Sequence, residues 1–159
     1  MQISQLINNI KKDEYGRPSG ILALAKKIGE SSHDLVDQVR RVMGTRKVGH
    51  AGALDVFASG LVLILVGKAT KLSDKLLNLD KEYIAEVLLG VSTDTQDLEG
   101  TVMNYDANYG HYTADEIRTI LQEFVGEQLQ YVSLFSSVKV NGNKLRILMR
   151  DERFRRVHK

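Results

Sequence analysis

The stretch Lys47-Val-Gly-His50-Ala-Gly-Ala-Leu-Asp55-Val-Phe-Ala-Ser-Gly60, followed by the apolar run Leu61–Val66, decides the fold of this chain. One carboxylate, Asp55, lies there among glycines, alanines, a serine and apolar residues. Burial of an ionised carboxylate without a partner is costly, so we expect something to hold Asp55 in such a setting. Two interpretations fit: a loop that sets a functional carboxylate on a core strand, and a tight turn whose aspartate bonds its own backbone. Composition alone favours the tight turn.

The same residues form a long and specific pattern. Gly49-His50-Ala-Gly52-Ala-Leu54-Asp55, with Ala58-Ser59-Gly60 after it, resembles the signature GHxGxLDxxAxG of the TruB family of pseudouridine synthases. Val56 and Phe57 stand where members of that family usually carry proline and a small or aliphatic residue. This departure concerns the rigidity of the loop rather than its chemistry.

The composition is that of an ordinary globular protein, and it excludes several kinds of site. The chain has 159 residues, of which 43% are hydrophobic and 26% charged, enough to bury a core within one domain. It contains no cysteine, so disulfides, thiolate metal sites and thiol nucleophiles are excluded. The longest apolar run is far too short to span a bilayer, and the first five residues have no secretory pattern. A cytoplasmic location is therefore predicted.

The net charge is only +2, but the basic residues are unevenly distributed along the chain. Many of them flank the Asp55 loop: Lys26, Lys27, Arg40, Arg41, Arg46, Lys47, Lys68 and Lys71. Carboxylates concentrate later, between Asp94 and Glu127. A basic flank suits a phosphate backbone, and a solvated helix face explains Arg40 and Arg41 equally well.

The spacing of apolar residues predicts strands that alternate with isolated helices. Strands are expected at Gly20–Ala25, Leu61–Val66, Tyr83–Leu89, Thr101–Asn104 and Leu134–Val140, and helices at 32–43, 69–79, 113–126 and 144–153. A serine cap and Gly44 bound the first helix, Thr113 and Glu116 have capping-box spacing, and Asn141-Gly142 predicts a turn. These elements predict an α/β fold of the α+β type, a mixed sheet with flanking helices.

The resemblance to the TruB family extends from about Gly20 to Arg150. Five further segments match family motifs in order: Lys26–Ser32 (KPxGxTS, with Lys27 for the proline), Ala69–Lys71 (ATK), Lys81–Tyr83 (the tyrosine segment), Leu89–Gly100 (LGxxTDTxDxxG) and Phe135–Leu145 (YSAxKxxGxxL). In the last segment, Val132 and Ser133 replace the usual upstream proline pair. The resemblance implies an incomplete pseudouridine synthase catalytic domain over residues 20–159, behind a polar N-terminal leader over residues 1–19.

The resemblance also implies an activity and a set of site residues. The family isomerises one uridine in RNA to pseudouridine, in the tRNA T arm for the bacterial type, and its catalytic aspartate matches Asp55. A carboxylate can act there as a nucleophile or as an electrostatic partner. His50 is expected to fill the space left by the flipped uridine, and Tyr83 to stack on the uracil and assist proton removal. Gly52, Lys26, Lys71 and Lys139 complete the expected RNA contacts.

Each of these residues has an ordinary structural interpretation as well. A histidine between glycines is usually a turn residue, a tyrosine opening a strand is usually half-buried core, and a surface lysine is usually solvated. The histidines lack paired metal-ligand spacing, and neither an EF-hand nor a GxxxxGK[ST] loop is present. We therefore expect no cofactor or metal. The resemblance implies a tRNA stem-loop as the partner, and a monomer is expected.

One family segment has no match in this chain. Family members continue to a segment near R-x-G-T-Y-I-R, whose arginine pairs with the catalytic aspartate, and usually to a small RNA-binding module. The sequence ends at Lys159 without either, so either a truncated enzyme or a reduced homologue is expected. The alternative function is a catalytically silent RNA-binding or RNA-folding homologue. A structural domain with a similar loop is the third possibility.

Overall fold

The computed structural model describes residues 10–107, 109–136 and 138–149. The chain divides into two compact units, the first ending at Tyr83 and the second beginning at Ile84. Helices and antiparallel sheets occur together, which confirms the predicted mixed α/β class. None of the described helices is long and apolar enough to cross a membrane.

A four-stranded antiparallel sheet organises the first unit. Its strands are β1 (Lys11–Lys12), β2 (Pro18–Lys26), β3 (Val48–Ala51) and β4 (Gly60–Val66), in the order β1-β2-β4-β3. Strand β2 alternates between exposed and buried positions, and Leu22, Leu24 and Lys26 lie on its buried face. The predicted strands at 20–25 and 61–66 are thus confirmed, with residues 11–19 forming a hairpin at the edge of the sheet.

Helix α1 (Ser32–Met43) packs on this sheet as its amphipathic pattern predicts. The core is built of aliphatic side chains from both layers: Leu22, Leu24, Leu35, Val36, Val39, Val48, Val62, Ile64 and Val66. Ser31 caps the helix in a capping box with Asp34, one residue before the predicted start. Gly44 ends the helix in the left-handed conformation (φ 61°), which glycine adopts without steric cost.

The chain after β4 returns along the sheet through short helical turns. A 3₁₀ helix at Gly67–Leu72 leads directly into α2 (Ser73–Leu77). The helical segment predicted at 69–79 is therefore present, in a mixed 3₁₀ and α form. The Ser73 hydroxyl donates a hydrogen bond to the carbonyl of His50 at 3.3 Å, which ties this segment to β3.

The described part of the second unit contains two small hairpins and two α-helices. Strands β5 (Val91–Thr93) and β6 (Val102–Tyr105) pair, a 3₁₀ turn follows at Tyr109–His111, and α3 spans Ala114–Gln122. Thr113 and Glu116 form the predicted capping box. Strands β7 (Lys139–Val140) and β8 (Asn143–Lys144) meet at the predicted turn, where Asn141 and Gly142 have φ of 49° and 82°. Helix α4 spans Leu145–Leu148.

Two strand predictions in this region are wrong. The described structure has no strand over 83–89, and only Lys139–Val140 of the strand predicted at 134–140 is formed. Strand propensity requires a partner with free backbone groups, and no described segment pairs with residues 83–89. Ile84 is accordingly 98% exposed. Of the helix predicted at 144–153, residues 150–153 lie outside the described residues.

The capping box of α1 predicts a pH dependence. The pKa of the Asp34 carboxyl is lowered, first by the hydrogen bond from the Ser31 backbone N–H (2.7 Å) and then by the Ser31 hydroxyl (2.8 Å). A depressed folded-state pKa stabilises the protein above the unfolded-state pKa, and this contribution is lost as the pH falls through the folded value. We expect Asp34→Asn to unfold at lower urea than the parent at pH 7.

The control for this prediction is Asp74→Asn, at an exposed carboxylate of α2. The difference between Asp34→Asn and the parent should begin to shrink below about pH 4, where the unfolded chain takes up the proton, and should disappear once the pH falls below the lowered pKa of folded Asp34. A difference that is unchanged from pH 7 to pH 3 would show that the charge of Asp34 does not act through the cap.

Candidate active site in the loop after strand β3

The loop that carries Asp55 lies at one end of the sheet. It connects Ala51, the last residue of β3, with Gly60, the first residue of β4. Lys26, the last residue of β2, pairs with Gly60. The segment after β2 and the Asp55 loop therefore leave the sheet side by side.

The sequence predicts that something holds the Asp55 carboxylate, but in the structure this side chain is exposed to solvent. Among the described residues, none forms a hydrogen bond or ion pair with its carboxylate. The backbone does turn there, since the Ala58 N–H donates to the Asp55 carbonyl at 3.1 Å. The physical reason is that the loop is anchored by its backbone and by Leu54, so the carboxylate can project outward.

The residues on either side of Asp55 are the anchored ones. The Ser32 hydroxyl accepts from the Leu54 N–H at 2.9 Å and lies 3.3 Å from the Leu54 carbonyl, to which it can donate. The Leu54 side chain packs against the core. On the other side, the Gly29 N–H donates to the Val56 carbonyl at 2.8 Å. Asp55 thus stands between two held residues.

Lys26 differs from its predicted role. It is only 2% exposed, and its ammonium donates to the carbonyls of Lys27 (3.0 Å), Glu30 (2.7 Å) and Val56 (3.4 Å). It occupies the next inward-facing position of β2 after Leu24, which explains its burial. A phosphate contact does not fit this geometry, because the three donors of the ammonium are directed at backbone carbonyls.

His50 and Gly52 lie where the loop leaves β3. His50 pairs with Ile64 of β4, and its Nδ1 atom is buried with no hydrogen-bond partner among the described residues. Gly52 has φ of +95°, a conformation that an L side chain adopts only with strain. Gly52 therefore sets the course of the backbone where it leaves β3, two residues after His50.

Comparison with known proteins places these features in a family. Residues 40–158 match the model of the N-terminal domain of TruB family pseudouridylate synthases. This chain belongs to the TruB family. The predicted resemblance to the TruB family is thereby confirmed.

Relatives in the TruB family share the matched part of the chain. The tRNA pseudouridine synthase B of Staphylococcus saprophyticus is 44% identical over 128 residues, covering 80% of this chain and 42% of that protein. The enzyme of the same name from Clostridioides difficile is 39% identical over 133 residues, 84% of this chain and 44% of its own. That from Opitutus terrae is 41% identical over 123 residues, with coverages of 77% and 51%. The chain thus spans about half the length of these relatives, or less.

The other predicted site residues are Lys71, Tyr83 and Lys139, which lie outside the Asp55 loop in the sequence. Lys71 is exposed in the 3₁₀ helix, two residues before Ser73, which bonds to His50. Tyr83 ends the first unit, outside any strand and 68% exposed. Lys139 is exposed on β7 of the second unit. Within the first unit, His50 and Gly52 lead into the loop that carries Asp55, and the Lys26 ammonium bonds to the Val56 carbonyl of the same loop.

Sequence reasoning missed the residues that hold the loop. The sequence pattern places Ser32 at the start of a predicted helix and does not indicate that Ser32 and Gly29 form hydrogen bonds with Leu54 and Val56, the neighbours of Asp55. Their place in the Lys26–Ser32 segment of the TruB pattern was the one available signal. No three histidine or carboxylate side chains of the described residues lie together as metal ligands.

Proposed function

We propose that this chain carries the catalytic aspartate and part of the RNA cleft of a uridine isomerase that forms pseudouridine in the tRNA T arm. The observation that carries the proposal is an exposed Asp55 carboxylate on a TruB signature loop whose backbone is held on both sides. A reacting carboxylate needs both accessibility and a fixed direction.

The reaction breaks the C1′–N1 glycosidic bond of one uridine and forms a C1′–C5 bond to the same uracil. The proton leaves C5, and N1 gains a proton, so atoms balance without an oxidant or reductant. Asp55 stabilises or traps the detached species, as a nucleophile or as an electrostatic partner. The chemistry itself requires no metal or organic cofactor.

The remaining site residues are assigned roles by the family resemblance. His50 fills the space of the flipped nucleotide, whose unstacking costs a few kcal/mol. Tyr83 stacks on the uracil, and its hydroxyl assists proton removal from C5. Gly52 allows close approach of the RNA, and Lys71 and Lys139 contact phosphates. Lys26 is not included among the proposed RNA contacts, because its side chain is buried.

The proposed substrate follows from the relatives. They are named tRNA pseudouridine synthase B, and the matched segment includes the signature loop. A tRNA T-arm stem-loop is therefore the proposed RNA partner. Action as a monomer in the cytoplasm stays a prediction from the sequence.

The test is release of tritium from RNA labelled at C5 of uridine, with protein in excess over a T-arm stem-loop. Every completed isomerisation removes that tritium, so the assay counts single turnovers. Release above the protein-free background, with pseudouridine identified in the product, supports the proposal. Absence of release, with the RNA shown to be bound, contradicts it.

One observation favours a second candidate, an RNA-binding homologue without turnover. No described cation pairs with Asp55, and an oriented cationic partner is what keeps a catalytic carboxylate ionised and directed. This candidate predicts a mobility shift with the stem-loop and no tritium release. The first candidate predicts both.

The salt dependence of RNA affinity tests whether Lys71 contacts a phosphate. Neutralised phosphates release counterions, which gives a log–log slope of roughly −0.7 to −0.9 per contact. We expect Lys71→Ala to weaken binding and to make the slope shallower by about one contact. The measurement is a titration of the stem-loop at four salt concentrations.

The matched control is Lys12→Ala. Lys12 is an exposed lysine on β1, which pairs with the start of β2, at the end of the sheet away from Lys26 and Gly60. Its removal should leave the slope unchanged. Equal slopes for the Lys71 and Lys12 variants would remove Lys71 from the proposed interface.

A further inference from the structure

Two chain segments meet beside Asp55, and one side chain bridges them. The segment from Lys26 to Ser32 connects β2 with helix α1, and the Asp55 loop connects β3 with β4. The Ser32 hydroxyl lies within hydrogen-bond distance of both backbone groups of Leu54, at 2.9 Å from the N–H and 3.3 Å from the carbonyl oxygen. Ser32 thus holds the peptide groups that lead directly into Asp55.

The bridge is protected from water. Ser32 is 4% exposed, so solvent has little access to its hydroxyl. Breaking either hydrogen bond would leave a buried backbone group of Leu54 without a partner, at a cost in desolvation. The two hydrogen bonds therefore resist opening. The Leu54 side chain is also packed on the core, so the residue before Asp55 is held by both its backbone and its side chain.

Val56, the residue after Asp55, is held by the backbone of Gly29. The Gly29 N–H donates to the Val56 carbonyl at 2.8 Å. With both neighbours fixed, the backbone dihedrals of Asp55 have little freedom, while its carboxylate stays exposed. The backbone therefore sets the direction in which the Asp55 side chain leaves the chain, and no described residue forms a hydrogen bond with its carboxylate.

We propose that Ser32 is a positioning residue for Asp55, and that its buried hydroxyl fixes the direction of the carboxylate by bridging both backbone groups of Leu54. This inference rests on the proposed function, in which Asp55 is the reacting carboxylate. Small misplacement of a reacting group lowers a rate strongly while leaving binding by the rest of the surface intact. Ser32 therefore acts on the chemical step rather than on RNA affinity.

The experiment compares Ser32→Ala with Ser31→Ala. The two serines are adjacent, but Ser31 caps helix α1, and none of its described hydrogen bonds is to Leu54. Three quantities are measured in the 159-residue chain: amide hydrogen exchange of Leu54, the NMR order parameter of Asp55, and the single-turnover rate of tritium release. Ser32→Thr, which keeps the hydroxyl, is the conservative variant.

We expect Ser32→Ala to exchange the Leu54 amide at least about tenfold faster and to lower the single-turnover rate by about tenfold to a hundredfold. RNA affinity should stay within about twofold. Ser31→Ala should lower global stability while keeping the parental exchange at Leu54 and the parental rate. Ser32→Thr should retain parental exchange at Leu54.

The outcomes separate this inference from the function on which it rests. Parental exchange at Leu54 in Ser32→Ala, or faster exchange with a parental rate, overturns the positioning role. A parent that releases no tritium contradicts the proposed function instead. In that case the order parameter decides: a lower value at Asp55 in Ser32→Ala alone supports the bridge, and an unchanged value overturns it.

Discussion

Replacing Asp55 with asparagine should reduce tritium release from C5-labelled T-arm RNA to the protein-free background. The amide and the carboxylate are nearly isosteric, but only the carboxylate can act as a nucleophile or carry a negative charge. Because the Asp55 side chain is exposed and has no hydrogen-bond partner among the described residues, the substitution should leave stability near that of the parent. RNA affinity should stay within a few-fold.

A loss of rate with unchanged stability and RNA affinity would assign Asp55 to the chemical step. A loss of rate together with a loss of folding or binding would place Asp55 in the structure rather than in the chemistry. Asp74→Asn, at an exposed aspartate of α2, is the matched control and should keep the parental rate. Near-parental turnover in Asp55→Asn would refute the assignment of the catalytic carboxylate.

The second large effect is expected at Lys26. In Lys26→Met the unbranched stem is kept, but three carbonyls lose a charged donor in a position that is 2% exposed. Hydrogen bonds from charged groups contribute about 1.5–3 kcal/mol each, and unmet partners add a desolvation cost. We expect the free energy of unfolding to fall by about 3 kcal/mol or more, measured by urea denaturation.

The neighbouring lysine supplies the control. Lys27 is exposed, so Lys27→Met should change the free energy of unfolding by no more than about 0.5 kcal/mol. Lys26→Met should also loosen the Asp55 loop, since one of the three carbonyls belongs to Val56. If the two variants are equally stable, the ammonium of Lys26 does not hold these segments, and its predicted phosphate contact becomes the better interpretation.

Local sequence patterns were sufficient for the parts of the fold that depend on near neighbours in the chain. The apolar spacing and the polar start of α1 predicted the helix, and Gly44 its end. The run Leu61–Val66 predicted the central strand β4, and Asn141-Gly142 the turn between β7 and β8. Periodicity, capping and turn chemistry act over a few residues, so they can be recognised without knowledge of the tertiary structure.

The strand predicted at 83–89 shows the limit of such patterns. Its apolar residues have strand propensity, but that propensity is expressed only when a second strand supplies hydrogen-bond partners. No described strand does so, and these residues remain exposed, with Ile84 and Tyr83 among them. Whether residues 83–89 form a strand therefore depends on pairing with another part of the chain.

The same distinction between local pattern and tertiary structure applies to the candidate site. The sequence by itself showed which segment resembles the TruB signature and that Asp55 is the single carboxylate within it. Only the tertiary structure decided that this carboxylate is exposed, that Lys26 is buried under three carbonyls, and that Ser32 bridges Leu54. The reason is physical: exposure and hydrogen bonding depend on which distant segments pack together. Residues 26–32 meet residues 54–56 only because β2 and β4 are paired in register at that end of the sheet.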